Sequence, residues 1–401
     1  MRHMLQTNHD LPDGTIKSAK RNEANIEKTK TFAPSIAELK LTDFRSHAKA
    51  HIVTSKGIVV LSGDNGVGKT NILEAISMLG PGRGLRTAKL SELARRDGAN
   101  AWSVSALVRT QEEDIQIGVG IDPNADTRRL RIDGQNVKGF DNLTVMLPQL
   151  WLTPAMDRLF VDGASGRRKF LDRYALGLSP QHAKMSQDYE RAMRERNRLL
   201  QEDPSADSWL DSLESNMAVS GVAIADARLT ALDALAAGLQ HSHDVFPEAE
   251  IALEGWIEAA LRQYSALDVE DAFRLHLKKS RGLDASVGRT LEGPHRSDLV
   301  VRHKGKDMPA SDCSTGEQKA LLVGLVLAQA RVMSGETGRV PLLLLDEVAA
   351  HLDAPRRAAL IEVIENLGAQ AWITGTDPAV FQQIAFTGTH LTFDGQLIKN
   401  A

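Results

Sequence analysis

The stretch GDNGVGKT, residues 63–70, constrains this chain more than any other segment of it. It satisfies G-x-x-x-x-G-K-[ST] in full, follows the apolar run GIVVL (57–61) and leads into NILEAISML (71–79). That is the strand–loop–helix setting in which such a loop wraps phosphates. Gly63, Gly66 and Gly68, with Asp64, Asn65 and Val67 between them, let backbone N–H groups turn inward at a helix start that already favours anions. Lys69 is then expected to reach the β- and γ-phosphates of ATP, and Thr70 to hold Mg2+ through its hydroxyl.

A second segment supplies what the loop lacks. PLLLLDE (341–347) reads as a buried strand ending in two acids. Asp346 is placed to support Mg2+, and Glu347 to orient or deprotonate an attacking water. Just upstream, CSTGEQKALLVG (313–324) starts a helix: Ser314 can cap it, and Gly316 permits close backbone approach. Cys313 reads as an apolar residue packing that helix start.

The rest of the chain sets limits. With 48 Lys+Arg against 52 Asp+Glu the net charge is −4, so a nucleic-acid partner needs a local basic face. One cysteine permits no internal disulfide and fits a reducing cytosol. No apolar run approaches the ~20 residues of a membrane span, so the expectation is a soluble cytoplasmic protein without a membrane partner. Residues 1–34 are polar and mixed in charge, and read as a disordered tail or an upstream extension of the start site. From Ser35, segments such as IAELKLTDF, WSVSALVRT and DIQIGVGID alternate as strands do. Residues 165–202, 208–240 and about 258–280 read as helices, the first two forming an antiparallel hairpin. Strands resume from GPHRSDLVV (293–301). The expected layout is a tail (1–34), a head (35–159 and 286–401) and an inserted helical lobe (160–285).

The order of parts is specific: glycine loop, helical insertion, Ser-x-Gly-Glu helix, acid-ended strand, then HLD (351–353). It resembles the ABC-type ATPase head, with CSTGE standing where that family has its signature. Within the SMC-like branch the chain is similar to the RecF family of bacterial recombination mediators. This rests on LKLTDFRSH (39–47), GRRKFLDR (166–173), GPHRSDL (293–299) and STGEQKALL (314–322), and covers about residues 35–400. The resemblance implies an α/β fold, with a mixed sheet flanked by helices, an antiparallel β subdomain and an inserted α-helical lobe. It implies that Ser314, Gly316 and Glu317 face the ATP of a second subunit, in an ATP-dependent homodimer. It brings in Asp353 beside the nucleotide, Gln149 as the Q-loop residue (although LPQLWLTP permits other alignments), and Thr376 where transporter heads keep a histidine. The implied function is slow, DNA-stimulated ATP hydrolysis on duplex DNA or single-strand/double-strand junctions, helping RecR and RecO load RecA. A transporter ATPase subunit and a short SMC-type tether are the competing readings. The first lacks the switch histidine, and ~120 inserted residues make only a short hairpin.

The basic clusters GRRKFLDR, RAMRERNR (191–198) and KKSR (278–281) can track phosphates, but acids are interleaved with them, as on a solvated helix face. At 4% aromatics, base stacking is disfavoured against a backbone-tracking mode on duplex DNA.

Overall fold

Continuous apolar runs and alternating ones build two different sheets. In the computed structural model, residues 31–401 are described apart from 124, 126, 241–244, 350–351, 377–387, 395–396 and 401. Most of the predicted tail and His351 therefore lie outside the described residues. Phe32 does not belong to a free tail: its N–H donates to the Gly338 carbonyl (2.9 Å), and its own carbonyl accepts from Val340 N (2.8 Å).

The chain opens with β1 (Ser35–Phe44) and β2 (His47–Val53), then β3 (Ile58–Ser62) and α1 (Lys69–Ser77). It continues through β4 (Trp102–Arg109), β5 (Asp114–Ile121), β6 (Arg129–Ile132), β7 (Gln135–Val137), α2 (Asp141–Met146) and β8 (Gln149–Leu152). Then come α3 (Ala164–Leu178), α4 (Gln181–Glu202), α5 (Asp207–Leu239), β9 (Ala249–Glu254), α6 (Trp256–Leu261) and α7 (Ala266–Val287). Last are β10 (Asp298–His303), β11 (Met308–Pro309), α8 (Thr315–Thr337), β12 (Leu342–Leu345), α9 (Ala354–Leu367), β13 (Ala371–Gly375), β14 (Gly388–Asp394) and β15 (Leu397–Asn400).

The central sheet runs β15-β14-β3-β13-β12-β8, parallel except for β15. Every residue of β3, β12 and β13 is buried, as parallel strands covered on both faces must be. One face packs on α1 and on a six-stranded antiparallel sheet, β2-β1-β4-β5-β6-β7. β4 shows why that sheet forms: its residues alternate between buried and partly exposed. The other face packs on α3, α8 and α9. The mixed sheet flanked by helices, the antiparallel β layer and the helical lobe agree with the expected fold class.

The lobe has its own apolar cluster, including Tyr189, Met217, Ile224 and Phe273. The 33-residue α5 crosses between cores, with Leu210 to Ala225 in the lobe and Ala231 to Leu239 in the head cluster. β9 falls within the inserted lobe, between two stretches read as helices, and pairs with β10, which in turn pairs with β11, in a small antiparallel sheet. Its six residues, AEIALE, are too short to separate strand from helix by pattern.

GPHRSDL ties lobe to head. Arg228 of α5 grips Asp172 of α3 with both ends of its guanidinium and donates to the Pro294 carbonyl (2.6 Å). His295 must carry its proton on Nε2, since Thr290 O (3.1 Å) can only accept; its Nδ1 then accepts from Tyr189 OH (2.8 Å). Asp298 pairs with Arg167 through both oxygens. Although burial opposes it, the His182 bond and Arg228 hold the Asp172 carboxyl down to about 2.

Candidate functional site

The glycine loop leaves the carboxyl end of β3 and enters α1, so its N–H groups gather where the parallel strands end. Gly66 (φ +85°) sits at the exposed tip, and a Cβ there would meet nothing within 4 Å. Gly68 (φ +104°) is the opposite case: a Cβ would lie 2.6 Å from His47 Nε2 and 2.8 Å from Ser46 Oγ. One position needs glycine to stay open and the other to let β2 support the turn from behind. A Cβ on Gly63 would lie 2.8 Å from the Phe393 carbonyl. Asp64 and Asn65 are exposed, and Val67 packs partly on the core. His47 reaches the Gly68 carbonyl at 3.2 Å, and burial pushes its imidazole pKa down.

Lys69 is buried and folds back over the loop, its ammonium donating to the Gly63 (2.5 Å) and Asp64 (2.8 Å) carbonyls. Burial lowers its pKa, while Glu347, Asp346 and Asp64 act in the opposite sense. Across the strand ends, Thr70 Oγ1 donates to Asp346 Oδ1 at 2.9 Å. These two residues are 276 apart in sequence, and their meeting joins the two motifs. Asp346 is 4% exposed, and Glu347 follows it with a left-handed backbone, φ +54°. The cradle of backbone N–H groups, a lysine at its rim and a hydroxyl beside a carboxylate suit a triphosphate and a hard, oxygen-seeking cation such as Mg2+.

Other candidates fall elsewhere. Gln149 is corrected: it opens β8 opposite Leu342, at the end of the sheet away from Asp346. There its amide donates to the Ile76 carbonyl (3.3 Å) and packs against Gly80. Leu345, next to Asp346, is paired with Leu152, so the chain reaches the acids' end of the sheet only with residues 153–157. In that segment Asp157 pairs with the buried Lys319 of α8 at 3.2 Å. Thr376 stands just past β13 and is exposed. Thr374, two residues earlier and fully buried, makes the contacts instead: it donates to Asp346 Oδ1 (2.7 Å) and accepts from Glu347 N–H (2.9 Å). Asp353 caps α9, accepting from Arg356 N at 2.9 Å.

The start of α8 is exposed and built as a capping box. Ser314 Oγ accepts from Glu317 N (3.4 Å), while Glu317 Oε2 accepts from Ser314 N (3.1 Å). Lys306 also pairs with Glu317, and this bond, with those from Ser314, brings the carboxyl down to about 2. Gly316 faces open space. Burial pushes the Cys313 thiol up, as fits a packing role.

Beside the loop lies a cavity of about 440 Å3 lined by Arg45, Ser46, Asn71, Glu92, Arg95 and Arg96 among others. Its size is that of a small-molecule site. Sequence reading took LTDFRSH only as a mark of resemblance. In it Arg45 has a φ of +53°, donates its N–H to the Leu93 carbonyl and ties its guanidinium to Glu74 by two bonds.

The basic clusters divide: Lys169, Arg191, Arg194, Arg198, Lys278 and Lys279 are exposed, whereas others turn inward to acids. Arg196 is fully buried and bonds Glu214, Asp284, Thr290 and the Leu277 carbonyl. Arg281 pairs with Asp207, Asp211 and Glu214, Arg191 with Asp188, and Arg198 with Glu202. Arg173 stacks on Trp151 at 3.6 Å.

The family model for the RecF/RecN/SMC N terminal domain matches residues 35–393. DNA replication and repair protein RecF of Rhizobium rhizogenes (strain K84) is 50% identical over 353 residues, spanning 87% of this chain and 94% of that one. The protein of the same description from Allorhizobium ampelinum is 49% identical over 369 residues, spanning 91% and 98%. The solved structure of the recombination mediator protein RecF-ATPrS in the RecFOR pathway has a TM-score of 0.81 at 24% identity, over 93% of this chain and 99% of that one. An SmcHead bound to the C-winged helix domain of ScpA follows at 0.52 and 15% identity, over 91% and 96%. These two structures bear on the fold.

Proposed function

Since the chain belongs to the RecF/RecN/SMC family, and within it to the RecF proteins of DNA replication and repair, we propose that it is an ATP-dependent DNA-binding protein of recombinational repair. The observation that carries this is the bond from Thr70 to Asp346, which brings glycine loop and acid-ended strand to one point. In this reading the N–H groups of residues 63–70 and Lys69 bind the phosphates. Thr70 and Asp346 hold Mg2+, and Glu347 orients a water and takes its proton. Bound Mg2+ supplies charge neutralisation on the phosphate oxygens. The basic cavity at Arg45 and Asn71 takes the nucleoside end.

Ser314, Gly316 and Glu317 face solvent at the start of α8, and Asp353 starts α9. The proposed arrangement puts the α8 start against the ATP of a second copy. ATP then closes a homodimer on duplex DNA or at gap junctions, and slow DNA-stimulated hydrolysis releases it. RecR and RecO are the proposed partners in loading RecA. Among the described residues no helix is long and apolar enough to cross a membrane, and the family assignment displaces the transporter reading. The test is co-sedimentation of the wild-type chain with duplex DNA. Retention that requires ATP is expected; equal retention without nucleotide would overturn the proposal.

A further inference from the structure

We infer that Thr374 is the positioning residue that sets both acids, Asp346 and Glu347; this rests on reading their surroundings as an ATP site. Thr374 lies in β13 with no exposed surface, and its hydroxyl works in two directions. It gives its one proton to Asp346 Oδ1 at 2.7 Å and receives the Glu347 N–H at 2.9 Å. A hydroxyl does both through a single atom.

The first bond decides which face of Asp346 is available. Thr70 Oγ1 donates to the same Oδ1 at 2.9 Å, so two hydroxyls tie one carboxylate oxygen. Among the described residues no hydrogen bond engages Oδ2, and it is the oxygen left to meet a hard cation. The second bond decides where Glu347 points. Its φ of +54° is costly for a residue with a Cβ, and such a backbone persists only where neighbours over-determine it. Thr374 ties that backbone to the strand next to its own. Outer contacts of this kind orient metal ligands, and their loss typically costs about 10–100-fold in metal affinity or activity.

Valine has threonine's outline without the hydroxyl; serine has the hydroxyl without the methyl. The experiment compares wild type, Thr374→Val and Thr374→Ser in two measurements. In nucleotide-free and metal-free protein, hydrogen exchange at the Glu347 amide should be about 10-fold or more faster in the valine variant. The serine variant should exchange as wild type does. In titrations with a fluorescent ATP analogue, the Mg2+ concentration needed for tight binding should rise about 10–100-fold with valine. With serine it should stay close to wild type. Valine matching wild type in both measurements would overturn the inference, as would serine failing as valine does, since the methyl packing would then be the contribution. If Thr374→Val does not fold, Thr374→Ala against Thr374→Ser makes the same comparison. A wild-type chain that binds no ATP analogue would refute the site reading itself, while the exchange comparison would still judge the role of Thr374.

Discussion

The loop end of the central sheet and the helical lobe are both rich in charge, but they use it in opposite ways. At the sheet end, Lys69, Thr70, Asp346 and Glu347 come from strand ends and a helix start, and their polar atoms converge on one place. In the lobe, Arg196 and Arg281 spend their donors on Glu214, Asp284, Asp207 and Asp211, while Arg191, Arg194, Arg198, Lys278 and Lys279 stay exposed and spread along α4 and α7. A cluster along the sequence is thus no guide to a cluster in space. On a helix, neighbouring residues face different ways, and the partner that neutralises each comes from a distant segment.

The comparison can be broken from the lobe side first. Arg196→Ala should leave Asp284 buried without its cation and Glu214 with Arg281 alone, destabilising the chain by about 3–5 kcal/mol. Denaturant unfolding measures this; a loss below about 1 kcal/mol would mean that the network is solvated after all. From the sheet side, Lys69→Ala should cost about 2–5 kcal/mol of ATP affinity while leaving stability nearly unchanged. Calorimetric titration decides it, and equal affinity in variant and wild type would remove the loop from the site.

A pH titration sharpens the contrast at the lobe–head junction. The folded pKa of Asp172, about 2, lies below its ordinary value of 3.8. Its contribution, about 2 kcal/mol, is therefore complete above pH 3.8 and fades as pH falls toward 2. Asp172→Asn should flatten stability across that window. The smallest effect belongs to the exposed pairs. Neutralising Arg191 and Arg198 together, each paired to an acid on its own helix, should change stability by less than about 1 kcal/mol. If duplex DNA affinity and its salt slope also stay unchanged, the lobe carries no phosphate path there.

Much of the site was legible because it is local. GDNGVGKT dictates its own turn, PLLLLDE its own strand, and STGE its own helix start, so each motif carries its geometry with it. What failed depended on distant register. Gln149 was set at the nucleotide, but its strand runs so that Leu152, not Gln149, lies next to the acids. Only Thr376 is singled out from the sequence, yet β13 keeps Thr374 within bonding distance of Asp346 and lets Thr376 pass into solvent. His295 had no assignable role until Tyr189, 106 residues away, supplied its partner. β9 went unassigned between two helical stretches because its partner, β10, is separated from it by two helices.

The central claim is that the exposed start of α8 serves the nucleotide of another copy. Sedimentation of Glu347→Gln with ATP tests it most directly, compared with the same protein carrying Ser314→Arg. Without the acid that activates water, the first protein should accumulate as an ATP-dependent dimer. The second should still bind ATP through its own loop but sediment as a monomer, because a bulky cation now occupies the face that meets the partner's phosphates. A Ser314→Arg, Glu347→Gln protein that dimerises with ATP as readily as Glu347→Gln alone would contradict the account, leaving Ser314 as the cap of its own helix and nothing more.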